Sequence, residues 1–245
     1  MISRTTDALG GHEFWLYLKT QLGSTVSHGS VVPSTLAVDY LRTYLTDLKP
    51  RVGGEWPAIG RQFDLLGLPD ESPNIITATD LVAVSFLSVN VPPRAAASIL
   101  TTRALAISNV LRRIPHNLAM EDPECTLEMY GHDYPMQKLW DLLRRDESGL
   151  LWKMGATTVS KIMARKRPEL VPIQDSVVVR ELGAADATYW DLWWQAMHLQ
   201  IEGNQVVKNF AIELRASVPQ AENLSLLRTL DIVIWMHGKY RPRTN

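Results

Sequence analysis

The chain has 245 residues, of which 46% are hydrophobic and 21% charged, so it is long enough for one or two domains with a substantial core. This composition excludes disordered, fibrous and membrane-spanning proteins. The net charge of −1 excludes a strongly basic protein that coats nucleic acid without specificity. The single cysteine, Cys125, excludes an internal disulfide, a Cys-based zinc site and a four-cysteine iron–sulfur cluster.

The first residues, MISRTTDALGG, lack the basic and apolar regions of a secretory signal, and no later stretch offers about 18 uninterrupted apolar residues. We therefore expect a cytoplasmic protein without a membrane partner. The charge is unevenly distributed, since residues 138–180 carry nine Lys or Arg and five Asp or Glu, a local balance of +4 that leaves −5 for the rest of the chain. This segment either presents a basic face to an anionic polymer or forms ordinary solvated helix faces.

Helical periodicity dominates the sequence. Ser34 is a typical N-cap for a helix that ends before Pro50, and Thr77 with Asp80 caps an apolar segment that reaches Val91. A helix is predicted over 94–113, and the proline-containing stretch 115–135 is expected to be a loop. Further helices are predicted at 136–145, 157–167, 176–182, 188–201, 205–217 and 225–236. No convincing strand pattern is present, so the predicted fold class is all-α.

A possible phosphate-binding turn follows residue 148. Ser148 is expected to cap a short helix that ends near Lys153, because Gly155 can adopt the positive φ that turns the chain. A second helix follows at once, and its first amides, with cations behind them, form a site that can hold a DNA phosphate. An ordinary helical corner remains the alternative. The predicted DNA contacts are Lys153, Met154, Gly155, Ala156, Thr157, Thr158, Lys161 and Arg165, with Thr158, Lys161 and Arg165 sharing one polar face.

The stretch Leu151-Trp152-Lys153-Met154-Gly155, followed after 20 residues by Asp175, resembles the helix-hairpin-helix DNA glycosylase superfamily. That pattern is a Leu-Pro-Gly-Val-Gly-type hairpin, a helix, and a loop that leads to a catalytic Asp. Here Trp152 and Lys153 replace the proline and the first glycine. Thr157 stands where bifunctional members have a Schiff-base lysine, so the resemblance implies a monofunctional enzyme, although Lys153 leaves lyase activity open. The wider chain also resembles an uncharacterised bacterial family with Lys-Arg-Pro before this Asp.

The resemblance implies a two-lobed helical fold. One lobe would span residues 34–168 and end in the helix-hairpin-helix motif, and the other would combine residues 1–33 with 169–245. Asp175 would then lie in the cleft between the lobes and face an extruded nucleotide.

Asp175 has the chemistry that cleavage of an N-glycosidic bond requires. Positive charge develops on the sugar as the base departs, and a fixed carboxylate beside C1′ stabilises that charge. The same carboxylate can orient or deprotonate the attacking water. The alternative is structural, because an Asp before a predicted helix is a typical N-cap that contributes about 1 kcal/mol.

Aromatic and hydrogen-bonding side chains are the candidates for a pocket that holds a flipped base. Most of the eight tryptophans are expected in the core, whereas Trp152 beside the hairpin could stack on a base or act as a wedge. The loop that contains Tyr130, His132 and Tyr134 mixes aromatic and hydrogen-bonding side chains, as recognition loops do. His132 and Asp133 lack a third metal ligand, so neither a metal nor another cofactor is expected.

The predicted function is therefore a DNA glycosylase that removes a damaged or modified base from double-stranded DNA and leaves an abasic site, in repair or in defence against phage. Two alternatives remain. One is a helix-hairpin-helix protein that binds DNA or recognises a modified base without cutting. The other is a protein-interaction scaffold whose basic helix is merely solvated.

Overall fold

A computed structural model describes residues 7–27, 30–46, 49–51, 54–56, 59–67, 72–146 and 148–241. Within these ranges the chain forms twelve α-helices and three two-stranded antiparallel hairpins, whose strands have only two or three residues each. The predicted all-α class is confirmed. The chain divides into two compact units, unit 1 with Met1–Asp47 and Asp175–Asn245 and unit 2 with Leu48–Gln174.

Unit 1 is built around its C-terminal helix, which is buried along most of its length and packs on three other helices of the unit. Two short hairpins complete the unit. Its elements are α1 (Asp7–Gln21), β1 (Thr25–Ser27), β2 (Ser30–Val32), α2 (Thr35–Thr46), α9 (Ser176–Glu181), α10 (Tyr189–His198), β5 (Gln200–Ile201), β6 (Asn204–Gln205), α11 (Val206–Ala216) and α12 (Leu226–Tyr240).

Unit 2 is built around α8, which packs on α4 and α7 and is buried on nearly every face. The helix α4 begins at the predicted capping box, in which Thr77 and Asp80 exchange hydrogen bonds. The elements of unit 2 are β3 (Lys49–Arg51), β4 (Gly54–Trp56), α3 (Gln62–Leu65), α4 (Ala78–Ser85), α5 (Pro93–Leu100), α6 (Ala104–Leu111), α7 (Pro135–Arg144) and α8 (Ala156–Lys166).

The division of the chain differs from the expected boundaries at two places. Helix α2 belongs to unit 1 because its apolar stripe of Ala37, Leu41 and Leu45 is buried and α2 packs against α12. Residues 169–174 belong to unit 2 because both backbone groups of Gln174 are hydrogen-bonded to α8.

Helix α1 is absent from the prediction, and its packing explains why. Gly10 and Gly11 lower helix propensity by about 1 kcal/mol each. A Cβ on Gly10 would lie 2.7 Å from Oε1 of Gln195, and one on Gly11 would lie 2.8 Å from the carbonyl oxygen of Gln195. The glycines therefore allow α1 to approach α10 closely, a tertiary gain that offsets their weak propensity.

The predicted helix over 94–113 is two helices, α5 and α6, with a break at 101–103. Arg103 turns inward at this break, and its guanidinium donates hydrogen bonds to the carbonyl oxygens of Leu142 and Arg145. The side chain thus caps the C-terminal end of α7. The break thus places Arg103 against α7, a long-range contact that helical periodicity cannot predict.

His237 on α12 is a buried imidazole in unit 1. It is 6% exposed and lies between the rings of Tyr17 and Tyr40, each with its centroid 6.0 Å away. Neither ring nitrogen has a hydrogen-bond partner among the described residues. Burial, helped by the charge of Arg241 and opposed by that of Glu181, lowers the pKa of His237.

We expect the stability of the protein to fall in acid because of His237. Its folded-state pKa lies below the unfolded value of about 6.5, so the unfolded chain binds the proton more tightly. The free energy of unfolding is therefore unaffected above that pH and decreases as the pH falls below it. Urea denaturation between pH 7.5 and 5 should show a weaker dependence for His237→Phe than for the wild type. Identical pH profiles for the two proteins would show that His237 does not cause the loss of stability in acid.

Candidate functional site

Two packed helices, α7 and α8, flank the segment 145–155. The prediction of a separate short helix from Ser148 to Lys153 is wrong, since these residues form a turn. The turn is closed by an antiparallel bridge between Arg145 and Leu151 and by a 2.8 Å hydrogen bond from the amide of Trp152 to the carbonyl oxygen of Arg144. The helix before α8 is therefore α7, and the segment between the two helices is longer than predicted.

The positive φ near the start of α8 belongs to Lys153, with φ 64°, and not to Gly155. Gly155 has φ −77° and ψ 174° and is the N-cap of α8, so the prediction for this glycine is wrong. The left-handed region favours glycine and costs other residues about 1–2 kcal/mol. Lys153 stands where the hairpin pattern has its first glycine, so the chain adopts a left-handed backbone at that position despite the substitution.

The N-terminus of α8 is open. Its N-cap residue, Gly155, has no side chain that could cap it, and a Cβ at this position would meet no heavy atom within 4 Å. Lys153 and Gly155 are exposed, and Ala156 and Thr157 are half-buried. The first amides of a helix have no intrahelical acceptor, and they carry the positive end of its dipole. The arrangement can hold one anionic oxygen beside an exposed ammonium group.

The cations behind this turn are not on the surface. Lys161 is 3% exposed, and its Nζ donates a 2.9 Å hydrogen bond to the carbonyl oxygen of Leu87. Arg165 is 4% exposed and donates to the carbonyl oxygens of Phe63, Leu66 and Gly67. The prediction that Lys161 and Arg165 contact DNA is therefore wrong, and the same burial removes the alternative of a solvated basic helix.

Met154, Thr157 and Thr158, which are also predicted DNA contacts, differ in how far they are buried. The side chains of Met154 and Thr158 are buried and cannot reach DNA without rearrangement. Thr157 lies in the first turn of α8, and its Oγ1 donates a 2.9 Å hydrogen bond to the carbonyl oxygen of Gln174. The amide of Gln174 donates a second 2.9 Å bond to Oγ of Ser160. These two bonds fix Gln174 on α8.

Asp175 is the residue after Gln174 and is half-buried at the start of α9. It is the N-cap of that helix, and its Oδ1 accepts a 2.9 Å hydrogen bond from the amide of Val177. This capping role, which the sequence offered as the alternative, holds the carboxylate in one orientation.

Within unit 1, burial and the charges of Asp231 and Asp175 raise the pKa of the Tyr189 hydroxyl, so Tyr189 stays protonated at neutral pH.

The predicted recognition loop is not assembled with the turn. Tyr130 is buried, and its hydroxyl donates a 3.0 Å hydrogen bond to the carbonyl oxygen of Leu170, so its assignment to a base pocket is wrong. His132 and Tyr134 are exposed and precede α7. The ten residues of α7 separate them from the turn by about 15 Å, given the rise of an α-helix.

Trp152 is also engaged within the fold. It is half-buried, and the guanidinium carbon of Arg103 lies 5.6 Å from the centroid of its ring. Its indole nitrogen is buried and makes no hydrogen bond to the described residues. Arg103 occupies one face of the ring, so Trp152 supports the start of the turn and is a poor candidate for a wedge or for stacking on a base.

Asp146, which is not among the predicted site residues, organises the turn. Its Oδ1 accepts hydrogen bonds from the amides of Ser148 and Leu150 and from Oγ of Ser148. An Asp followed closely by Ser and Gly is a typical turn signal that could have identified it. Gly149, with φ 81°, completes this turn.

In the described part of the chain, no group of three or more His, Cys, Asp or Glu side chains is arranged to hold a metal ion. No helix there is both long and apolar enough to cross a membrane. The chain matches no curated protein and no solved structure. Residues 37–238 match the Family of unknown function (DUF6308), and this match covers most of the chain. The chain therefore belongs to that family.

Proposed function

We propose that the protein is a monofunctional DNA glycosylase that hydrolyses the N-glycosidic bond of a damaged or modified base in double-stranded DNA. One observation carries the proposal: the residue directly before Asp175 is hydrogen-bonded to Thr157 and Ser160 of α8, the helix whose first amides can hold a phosphate. The left-handed Lys153 supports it, because this backbone occurs where the glycosylase hairpin has glycine. Both features belong to one continuous stretch, residues 153–175.

In the proposed reaction the bond between C1′ and the base nitrogen breaks, and the electron pair leaves with the base, which takes up a proton from the solvent; the proton that Asp175 later removes from the attacking water returns to the solvent. The Asp175 carboxylate stabilises the positive charge that develops on the sugar. It then accepts a proton from the water whose oxygen bonds to C1′. Its N-cap hydrogen bond keeps the carboxylate oriented before the substrate binds.

The phosphate next to the flipped nucleotide would bind to the amides of Gly155, Ala156 and Thr157, with the Lys153 ammonium beside it. Such contacts depend on the backbone and not on the base sequence. They would offset part of the few kcal/mol required to unstack the target. We place the reaction in the cytoplasm, in genome repair or in attack on modified phage DNA.

Asp175→Asn gives a direct test, because Asn is as good an N-cap as Asp and only the charge is removed. We expect wild-type protein to release a base from at least one of several genomic DNAs, ordinary and phage-modified, as measured by mass spectrometry of the free bases. Asp175→Asn should release none, while its DNA affinity and urea stability stay near those of the wild type. Equal release by both proteins would contradict the role of Asp175.

The binding role of Lys153 can be separated from its conformation. Lys153→Gly removes the ammonium but suits the left-handed backbone, so we expect stability to be kept or raised by about 1 kcal/mol. The DNA affinity should fall, and the dependence of log K on log salt should become weaker by about one contact. Lys138→Ala, which removes an exposed lysine of α7, is the control and should leave the salt slope unchanged. An unchanged slope for Lys153→Gly would remove Lys153 from the site.

A non-catalytic DNA-binding protein is the second candidate. The observation that favours it is the capping bond of Asp175, which gives the carboxylate a structural reason to be present. If the wild type releases no base from any DNA, while both it and Asp175→Asn bind DNA equally, this second function replaces the first.

A further inference from the structure

Arg103 is a buried cation of unit 2 that has no part in the predicted site. It is the N-cap residue of α6, at the break after α5, and it is 9% exposed. Its amide donates a 2.8 Å hydrogen bond to the carbonyl oxygen of Ser98, which fixes the backbone from which the side chain extends. A cation at this depth needs polar partners, because burial removes the water that would solvate it. Those partners identify what Arg103 does in the fold.

The guanidinium group of Arg103 joins the two ends of the turn formed by residues 145–152. Its Nη1 donates a 2.8 Å hydrogen bond to the carbonyl oxygen of Leu142 and a second bond to the carbonyl oxygen of Arg145, the residue at which the turn begins. Its central carbon lies 5.6 Å from the ring centroid of Trp152, the residue with which the turn ends. One side chain thus contacts both ends of the same segment.

This double contact depends on the shape of the guanidinium group. Its N–H groups lie in one plane and donate to carbonyl oxygens at the C-terminus of α7, which carry the negative end of the helix dipole. The flat face of the same group packs on an aromatic ring. A lysine, whose ammonium group is compact, cannot make both kinds of contact at once.

The turn that Arg103 holds leads directly to the candidate phosphate site. The amide of Trp152 donates a 2.8 Å hydrogen bond to the carbonyl oxygen of Arg144, and the next residue is Lys153, whose φ is 64°. Gly155, two residues later, is the N-cap of α8. A left-handed backbone is unfavourable for lysine unless its surroundings hold it. Because Trp152 directly precedes Lys153, a fixed Trp152 fixes the direction in which Lys153 leaves the turn.

We propose that Arg103 is a positioning residue for DNA binding, which holds the turn 145–152 so that the Lys153 ammonium group lies beside the phosphate at the N-terminus of α8. Arg103 itself is buried and does not contact the DNA. The proposal rests on the proposed function for its ligand, a phosphate of duplex DNA, but it does not require that the base be hydrolysed. It extends the site to the break between α5 and α6, which is distant in sequence.

Arg103→Gln and Trp152→Leu test this role in the full-length protein with duplex DNA. Each should weaken the dependence of log K on log salt by about one contact, although neither removes an exposed cation. In the Lys153→Gly background the same substitutions should change the slope no further, because the contact that they disturb is already gone. Trp152→Leu keeps the hydrogen bonds from Arg103 to α7, so it tests the same link if Arg103→Gln does not fold.

Amide hydrogen exchange follows the turn without DNA. The Trp152 amide should exchange about tenfold faster in Arg103→Gln than in the wild type, and by a larger factor than the amide of Ile162 in the buried part of α8. Arg144→Gln is the matched control, because its guanidinium carbon lies 5.3 Å from the ring centroid of Trp140 on the same helix. This variant loses an arginine–tryptophan contact but keeps that of Arg103, so its Trp152 amide should exchange at the wild-type rate.

Wild-type salt slopes in both folded variants would overturn the proposal, as would slope losses that add to that of Lys153→Gly. A weaker affinity of Trp152→Leu with an unchanged slope would also overturn it, and would show instead that the ring stacks on a base. Duplex binding without base release would refute only the hydrolytic function. If the wild type binds no duplex, the proposed function fails, and a Trp152 amide that exchanges equally fast in wild type and Arg103→Gln would show that Arg103 does not hold the turn either.

Discussion

Replacing Arg167 with Met should destabilise the protein by at least about 4 kcal/mol, a large part of the 5–15 kcal/mol that typically holds a domain together. Arg167 is 1% exposed, and all five of its N–H groups are used in hydrogen bonds. Burial lowers the pKa of Arg167 to about 10, so the guanidinium is still charged at neutral pH. The acceptors are the carbonyl oxygens of Leu111, Ile114, Pro73 and Lys166 and Oδ1 of Asn74.

Methionine has similar length but no donor, so all five acceptors would lose the bond from Arg167, and of these the carbonyl oxygen of Leu111 would keep its 3.0 Å hydrogen bond from the amide of Ile114. Arg167→Lys keeps the charge, yet a compact ammonium cannot reproduce the planar set of five donors, and we expect it to be destabilised as well. Urea denaturation measures both variants against Arg112→Met, whose guanidinium makes an exposed hydrogen bond on α6 and which should change stability by less than about 0.5 kcal/mol. Similar losses for Arg167→Met and Arg112→Met would contradict the proposed role.

Asp80→Asn should lower the free energy of unfolding by about 3–5 kcal/mol, because it removes the carboxylate that pairs with two buried cations. An oxygen of Asp80 lies 2.5 Å from Nζ of Lys166, and the other lies 3.4 Å from Nε of Arg165. All three side chains are at most 5% exposed. Asparagine preserves the size of the side chain and can still accept the N-cap hydrogen bond from Thr77, so the loss would report the charge.

The double variant Asp80→Asn/Lys166→Met separates the ion pair from the capping box. Because it also removes the buried ammonium that Asp80→Asn leaves without a carboxylate, it should be more stable than Asp80→Asn alone, as a double-mutant cycle in urea would measure. Asp39→Asn is the control, since its pair with Arg42 is half exposed and should be worth less than about 1 kcal/mol. Additive losses in the cycle would show that Asp80 and Lys166 do not stabilise each other.

Local signals predicted much of the fold. The capping box at Thr77 is a short-range device, and it forms where its residues are. The apolar spacing of α2 and α7 also predicted those helices to within a few residues. By contrast, α1 depends on the close approach of Gly10 and Gly11 to Gln195, which are far apart in sequence. Periodicity in a window of the chain carries no information about such a partner.

The site was predicted in part, for the same reason. The sequence located the turn before α8 and the capping position of Asp175, because both are written in neighbouring residues. It placed the left-handed residue at Gly155 because glycine favours that conformation, whereas the structure has it at Lys153.

The amino-acid order alone determines that the chain is helical, where most of its helices begin and end, and that Asp175 caps a helix 20 residues after Gly155. It does not determine whether the charged side of α8 faces water. The charged side of α8 is buried because carbonyl groups from distant parts of the chain and the carboxylate of Asp80 replace the water around its cations. These cations are Lys161, Arg165, Lys166 and Arg167. A charged stripe has the same spacing on a solvated helix and on a buried one, and only its surroundings distinguish the two.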